Sequence, residues 1–143
     1  MVDVASFGEP MVEFCATEVG KLKDVQLFKR GWGGDTSNFI IAVVRLGGRA
    51  GYICRIGDDE FGESFLELWH REGVDTSQVI VEKGGFTAVY FISLLPGGGH
   101  DFTYFRRGFS CKPLLAVRSK PGVFKQFKGI PLKRDLDGYK RKL

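Results

Sequence analysis

Residues 33–62 read GGDTSNFIIAVVRLGGRAGYICRIGDDEFG, and this stretch decides the fold. Gly33-Gly34-Asp35-Thr36-Ser37-Asn38 opens a run, Phe39 to Leu46, that is apolar on most faces. A helix apolar nearly all round is a buried one, here packed against a sheet. Gly47-Gly48 stands where a helix end favours a residue tolerant of positive φ. Ala50 to Arg55 then reads as a short apolar strand running into Gly57-Asp58-Asp59. Asp58 or Asp59 caps a second helix, with acids in its first turn facing the positive end of the dipole. Phe61, Phe65, Leu68 and Trp69 form the apolar stripe of that helix, and Gly73 closes it.

Working outward, Val2 to Phe7 is a first strand, and Met11–Cys15 with Val25–Lys29 forms a strand pair. Downstream, Val79 to Val81 is another strand. Thr87–Leu94 and Phe102–Phe105 form a hairpin around Pro96-Gly97-Gly98-Gly99. The order β, ββ, α, β, α, β, ββ predicts an α/β fold: a Rossmann-like parallel sheet with helices, and a small antiparallel sheet built from the two strand pairs.

Composition bounds the function. The chain has 143 residues, room for one ordinary domain, with 43% hydrophobic and 27% charged residues. These values exclude a disordered chain, a collagen-like repeat and a coiled coil. No apolar run approaches the roughly 20 residues of a membrane span, and MVDVASFGEP lacks the pattern of a secretory signal. Cys15, Cys54 and Cys111 form no CxxC or Cys/His cluster and read as thiols of a reducing compartment. A soluble cytoplasmic protein is the expectation.

Charge divides the chain near Gly108. Residues 109–143 hold ten Lys/Arg and two acids, whereas residues 1–108 hold eleven Lys/Arg and fifteen acids. Seventeen of the 20 glycines precede Phe109. The front is an acidic, glycine-punctuated globular sequence. The basic tail shows no useful helical or strand period.

Several residues invite a chemical role. Gly33 and Gly34 let backbone approach a ligand closely and precede a helix whose first N–H groups suit polar oxygens. Asn38 both donates and accepts, which suits a hydroxyl. The plainer reading is a tight turn entering a helix. A dinucleotide site is disfavoured because no GxGxxG follows the first strand. Tyr90, Tyr104 and Arg106 fall on the hairpin, where aromatic residues ordinarily pack across strands. Glu9 and Glu13 stay open as paired carboxylates; capping accounts for Asp58 and Asp59. His70 and His100 have no ligand-spaced partners, so no metal site is expected.

In family order, FGEPMVEF at 7–14, GGDTSN at 33–38, RLGGRAGYICRIGDDEFG at 45–62, EGVDTSQV at 72–79, TAVYF at 87–91 and FTYFRRG at 102–108 resemble the ribokinase-like (PfkB) carbohydrate kinases. The likeness runs nearly unbroken through residues 1–108, and within the family it is most like the 2-keto-3-deoxygluconate kinases. It implies a partial ribokinase-like fold, with strands at about 11–30 and 87–107 forming a β lid that closes over a sugar. It implies substrate binding by Gly33, Gly34, Asn38, Tyr90, Tyr104 and Arg106, with Arg106 meeting the carboxylate of a sugar acid. Arg107 reads as a solvated neighbour. A neutral sugar such as fructose, a nucleoside, or a non-catalytic sugar-binding or dimerisation module are the alternatives. The lid's apolar face implies self-association; neither a membrane nor a nucleic acid is an expected partner.

The family draws ATP and Mg to a later segment, where a Gly-Ala-Gly-Asp motif supplies the anion hole and the base. That motif does not occur here, so no catalytic residue is assigned and neither group is expected to bind well. The family continues after Tyr-x-Arg-x-Gly with Ser-Ala-Ala-Ser, whereas this chain reads Phe109-Ser110-Cys111-Lys112. Spelled GGT TTC AGC TGC AAG, Gly108 to Lys112 becomes Gly-Ser-Ala-Ala-Ser on loss of a single T. In the same shifted frame, Gly129 to Tyr139 allows Val-Phe-His-Leu-Ser-Gly-Ile-Ser-Met-Ala, which contains the family's His-x-Ser-Gly-Ile strand. Residues 109–143 therefore read as an out-of-frame tail; a basic nucleic-acid arm is the rival.

Overall fold

A computed structural model describes residues 2–106. The expectations for Arg107, Gly108, Cys111 and the tail at 109–143 lie outside the described residues. Nine elements follow the anticipated order: β1 (Val4–Phe7), β2 (Met11–Val19), β3 (Phe28–Gly33), α1 (Asp35–Arg45), β4 (Ala50–Gly57), α2 (Glu60–Glu72), β5 (Asp75–Glu82), β6 (Val89–Leu94) and β7 (His100–Phe105). They make a three-stranded parallel sheet, β1-β4-β5, and a four-stranded sheet, β3-β2-β6-β7.

The core sits where α1 and α2 meet the parallel sheet. Ile40, Phe65, Leu68 and Trp69 from the helices pack with Tyr52, Cys54 and Ile56 of β4. Trp69 stands edge-on to Tyr52 at 4.9 Å and stacks on Phe65 at 5.2 Å. Its indole N–H donates to Ser37 Oγ at 2.9 Å, so the buried polar atom is satisfied. Asp59 caps α2: its carboxylate accepts from Gly62 N–H at 2.7 Å and from both the N–H and Oγ1 of Thr87, at 2.6 and 2.8 Å. Asp58 instead accepts from Gly84 N–H at 2.8 Å. Gly73 ends α2 with φ 79°, the left-handed conformation that glycine adopts without steric cost.

Three details differ from the sequence expectation. Helix α1 is buried on one stripe only, through Ser37 and Ile40; Phe39 is 51% and Leu46 89% exposed. It rests on β1 and β4 by that stripe, and among the described residues no element covers its other face. Strand β3 begins at Phe28 rather than Val25, because Lys21–Asp24 turns and Val25 N–H bonds back to Lys21. It runs on to Gly33, so the double glycine ends a strand before it starts a helix. The second sheet has four strands to the first sheet's three. Its two hairpin-like pairs are antiparallel, but β2 and β6 join them in parallel.

Strand pleating gives that second sheet two characters. Val12, Phe14, Val89 and Phe91 share the face that meets the core, where Phe14 contacts Phe61 of α2 at 5.8 Å. Met11, Glu13, Tyr90, Ile92, Phe102 and Tyr104 share the opposite face. No described helix is long and apolar enough to cross a membrane. Neither Cys15 nor Cys54 forms a disulfide.

Candidate functional site

A cavity of about 420 Å³ lies between this second face and the start of α1. Sheet residues Met11, Glu13, Tyr90, Ile92, Phe102 and Tyr104 form one wall. Gly34, Asp35 and Thr36 form another, and Glu9 and Arg106 complete the rim.

The double glycine is where it is for steric reasons. Gly34 takes φ 93°, and a Cβ there would stand 2.6 Å from the Glu9 carbonyl oxygen. A Cβ on Gly33 would run into the Tyr90 phenol ring. Chain and cavity wall thus close on each other only with glycine at both positions. Thr36 shares a 2.7 Å hydrogen bond with the Tyr52 hydroxyl, which anchors the first turn of α1 to the parallel sheet.

Tyr90 is 8% exposed, and its hydroxyl donates to Glu13 Oε2 at 2.5 Å. Burial first, and then the Glu13 carboxylate, push the phenol above its ordinary pKa, so it stays a neutral donor. Tyr104 stacks on Tyr90 at 5.7 Å and on Phe102 at 6.0 Å, leaving an aromatic surface that is half exposed. Arg106 pairs through Nη2 with Glu9 Oε2, tying the end of β7 to the β1–β2 loop. The other Glu9 oxygen, Oε1, is buried with no hydrogen-bond partner among the described residues.

Of the six site residues singled out in sequence, Gly34, Tyr90, Tyr104 and Arg106 line the cavity. Gly33 lies just behind, under Tyr90. Asn38 is exposed one turn into α1 and is not on the lining; its N–H donates to the Gly34 carbonyl at 3.0 Å. Glu9 and Glu13, left open as carboxylates, both belong to the site. Asp35, Thr36, Met11, Ile92 and Phe102 went unassigned. The alternation of β2 and β6 could have found Met11, Glu13 and Ile92, since each shares a face with Tyr90. His70 is exposed, and His100 packs edge-on against Phe102 at 5.1 Å. Among the described residues no group of three His, Cys, Asp or Glu could hold a metal ion.

The lining therefore offers carboxylate acceptors, an aromatic platform and the open start of a helix. That combination suits a small ligand rich in hydroxyl donors with a partly apolar face.

A family model described as pfkB family carbohydrate kinase matches residues 1–112, slightly past Gly108. A probable fructokinase-2 from Arabidopsis thaliana is 38% identical over 104 residues, covering 72% of this chain and 32% of that one. A 2-dehydro-3-deoxygluconokinase from Thermoproteus tenax is 36% identical over 111 residues, covering 76% and 34%. The crystal structure of an uncharacterized sugar kinase from Pyrococcus horikoshii in complex with ATP superposes with a TM-score of 0.69 at 33% identity, covering 75% and 35%. The chain spans about a third of the length of the curated relatives it matches.

Proposed function

Because the chain belongs to the pfkB family of carbohydrate kinases, we propose that residues 1–108 are the sugar-side part of an ATP-dependent sugar kinase. The cavity beside α1 holds the acceptor sugar. One observation carries this reading: Gly34, Tyr90, Tyr104 and Arg106, scattered over 73 positions of sequence, converge on a single cavity. Glu13 and Glu9 accept hydrogen bonds from sugar hydroxyls, Tyr104 lies against the ring, and Gly34 lets the ligand approach backbone. Saturable binding of a monosaccharide by calorimetry, weakened about tenfold by Tyr104→Ala, is the expected result. No binding of any pentose, hexose or sugar acid at millimolar concentration sinks the proposal.

The acceptor has two versions. In the first it is a sugar acid such as 2-keto-3-deoxygluconate, supported by a guanidinium on the rim and by the Thermoproteus tenax relative. In the second it is a neutral ketose, supported by the pairing of that guanidinium with Glu9 and by the fructokinase relatives.

ATP and Mg are proposed for the full-length activity, but the described residues do not fit them. Three carboxylates line the cavity against one guanidinium, which is already paired, and a triphosphate would be repelled there. No transfer step is therefore assigned to these residues, and a non-catalytic sugar-binding module is the reading for them alone. We place the nucleotide-binding part in the other reading frame, with residues 109–143 an out-of-frame tail. Sequencing the coding DNA beyond the Arg106 codon decides this: an extra base followed by a frame reaching Gly-Ala-Gly-Asp supports it, and a single open frame overturns it. Self-association through the second sheet is part of the same proposal. Every residue of β7 is exposed, with Phe102, Tyr104 and Phe105 among them. A concentration-independent monomer by size-exclusion chromatography would count against it.

A further inference from the structure

We propose that a second cavity, across the second sheet from the first, is a docking site for residues 109–117 of this chain, which read FSCKPLLAV. The inference stands apart from the sugar-site reading and from the frame that encoded the segment, because it uses only the side chains present.

This cavity has a volume of about 370 Å³ and lies where α2 begins beside β6. Phe61, Phe86 and Val89 give it apolar walls, and Phe86 is 62% exposed. An apolar cavity of roughly 150 Å³ takes a benzene-sized group, so this one has room for two large side chains. Its inner polar groups are already engaged. Asp59 accepts from Gly62 and twice from Thr87, and the Thr87 hydroxyl accepts in turn from Gly57 N–H at 3.1 Å. With those groups satisfied, the cavity favours an apolar occupant.

Chain geometry and charge select which one. Phe105, the last residue of β7, pairs with Val89 of the cavity wall and shares its face. The chain therefore leaves the sheet about one strand spacing, ~4.8 Å, from that wall. At up to about 3.4 Å per residue, Phe109 reaches roughly 14 Å from Phe105, and Leu115 roughly 34 Å. Either span is enough to bring an apolar side chain into a cavity bordered by Val89. A linker of only Arg106, Arg107 and Gly108 holds the segment at about millimolar effective concentration, ahead of a second copy or an outside partner. The lining carries Asp59 and Glu60 and no cation, whereas the segment carries Lys112 and no acid, with Arg118 following it. Opposite charge orients the segment, and burial of Phe109, Leu114 and Leu115 holds it.

Alkylation of Cys111 by iodoacetamide in the full chain, followed by mass spectrometry, tests this, because Cys111 lies inside the segment. A synthetic peptide of residues 107–117 gives the rate for the undocked segment. Docking is expected to slow Cys111 about tenfold or more relative to the peptide. Phe86→Asp, at an exposed position, is expected to return the rate to within about twofold of the peptide's. Leu114→Asp combined with Leu115→Asp is expected to do the same from the segment's side. A rate in the unmodified chain equal to the peptide's overturns the proposal without any variant having to fold. Protection that survives in both variants, each folded by circular dichroism, puts the segment elsewhere and overturns it as well. Protection that is lost on dilution makes the occupant the segment of a second copy, which also overturns it.

Discussion

The two sheets of this molecule are built from similar residues and put to opposite uses. The parallel sheet and the helix α2 packed on it bury large aromatic side chains between them: Tyr52 of β4 with Phe65 and Trp69 of α2 are fully buried. The second sheet divides its aromatics by the pleat. Phe14 and Phe91 face the core, while Tyr90, Phe102 and Tyr104 line a cavity, and the last two are substantially exposed. One layer gains stability from burial. The other holds a partly solvated surface in place by hydrogen bonds and close steric contacts. Substitutions in the first should therefore act on folding, and substitutions in the second on ligand binding.

The largest expected effect is in the core. Trp69→Ala removes two aromatic contacts and orphans Ser37 Oγ, and should cost about 3–5 kcal/mol in urea unfolding. A loss below about 1 kcal/mol would mean that the helix layer is not the core. Next comes the hinge between the layers. Asp59 caps α2 and holds Thr87 just before β6, so Asp59→Ala should cost roughly 2–4 kcal/mol. Asp59→Asn, which keeps an acceptor for Gly62 N–H, should recover part of that. Equal losses in the two variants would show that the cap contributes little.

Gly33→Ala sharpens the contrast from the other side. The new methyl group displaces Tyr90 and with it the Glu13 hydrogen bond, at about 1–3 kcal/mol of overpacking. Sugar binding should fall about tenfold or more while the far-ultraviolet circular dichroism stays that of the parent. Unchanged binding would remove Tyr90 and the double glycine from the site.

Legibility in the sequence follows the same division. Helix α2 could be read because Phe61, Phe65, Leu68 and Trp69 repeat at helical spacing between a capping aspartate and Gly73. Both sheets could be anticipated from the element order. Helix α1 is less buried than its sequence suggests: the run Phe39 to Leu46 is apolar on most faces, but only the stripe through Ser37 and Ile40 is buried among the described residues. Strand β3 starts later than the sequence suggests: Val25 and Leu27 alternate like a strand, but Leu27 is 70% exposed and Val25 packs in a turn. At the site, a double glycine and a hairpin tyrosine could be marked one by one. That Gly33 is the floor for Tyr90, or that Arg106 is held by Glu9, depends on pairings between residues 57 and 97 positions apart. Periodicity carries no information at that range.

The smallest expected effect tests the rim of the parallel sheet. Asp3, just before β1, accepts from Arg49 Nη2 at 2.7 Å, from Nε at 3.0 Å and from its backbone N–H at 3.1 Å. These bonds, the side-chain ones foremost, hold its carboxyl at about 2, below the usual 3.8. A depressed folded-state value means that the carboxylate's contribution is present above about pH 4 and is lost as pH falls toward 2. Both partners are well exposed, so water and salt screen the pair and the contribution is small. Asp3→Asn should lower the unfolding midpoint slightly at pH 6, and the gap to the parent should narrow on acidification through pH 3. A gap that stays constant or widens in acid would show that the Arg49 contact does not tie β1 to β4, leaving their backbone ladder to do so alone.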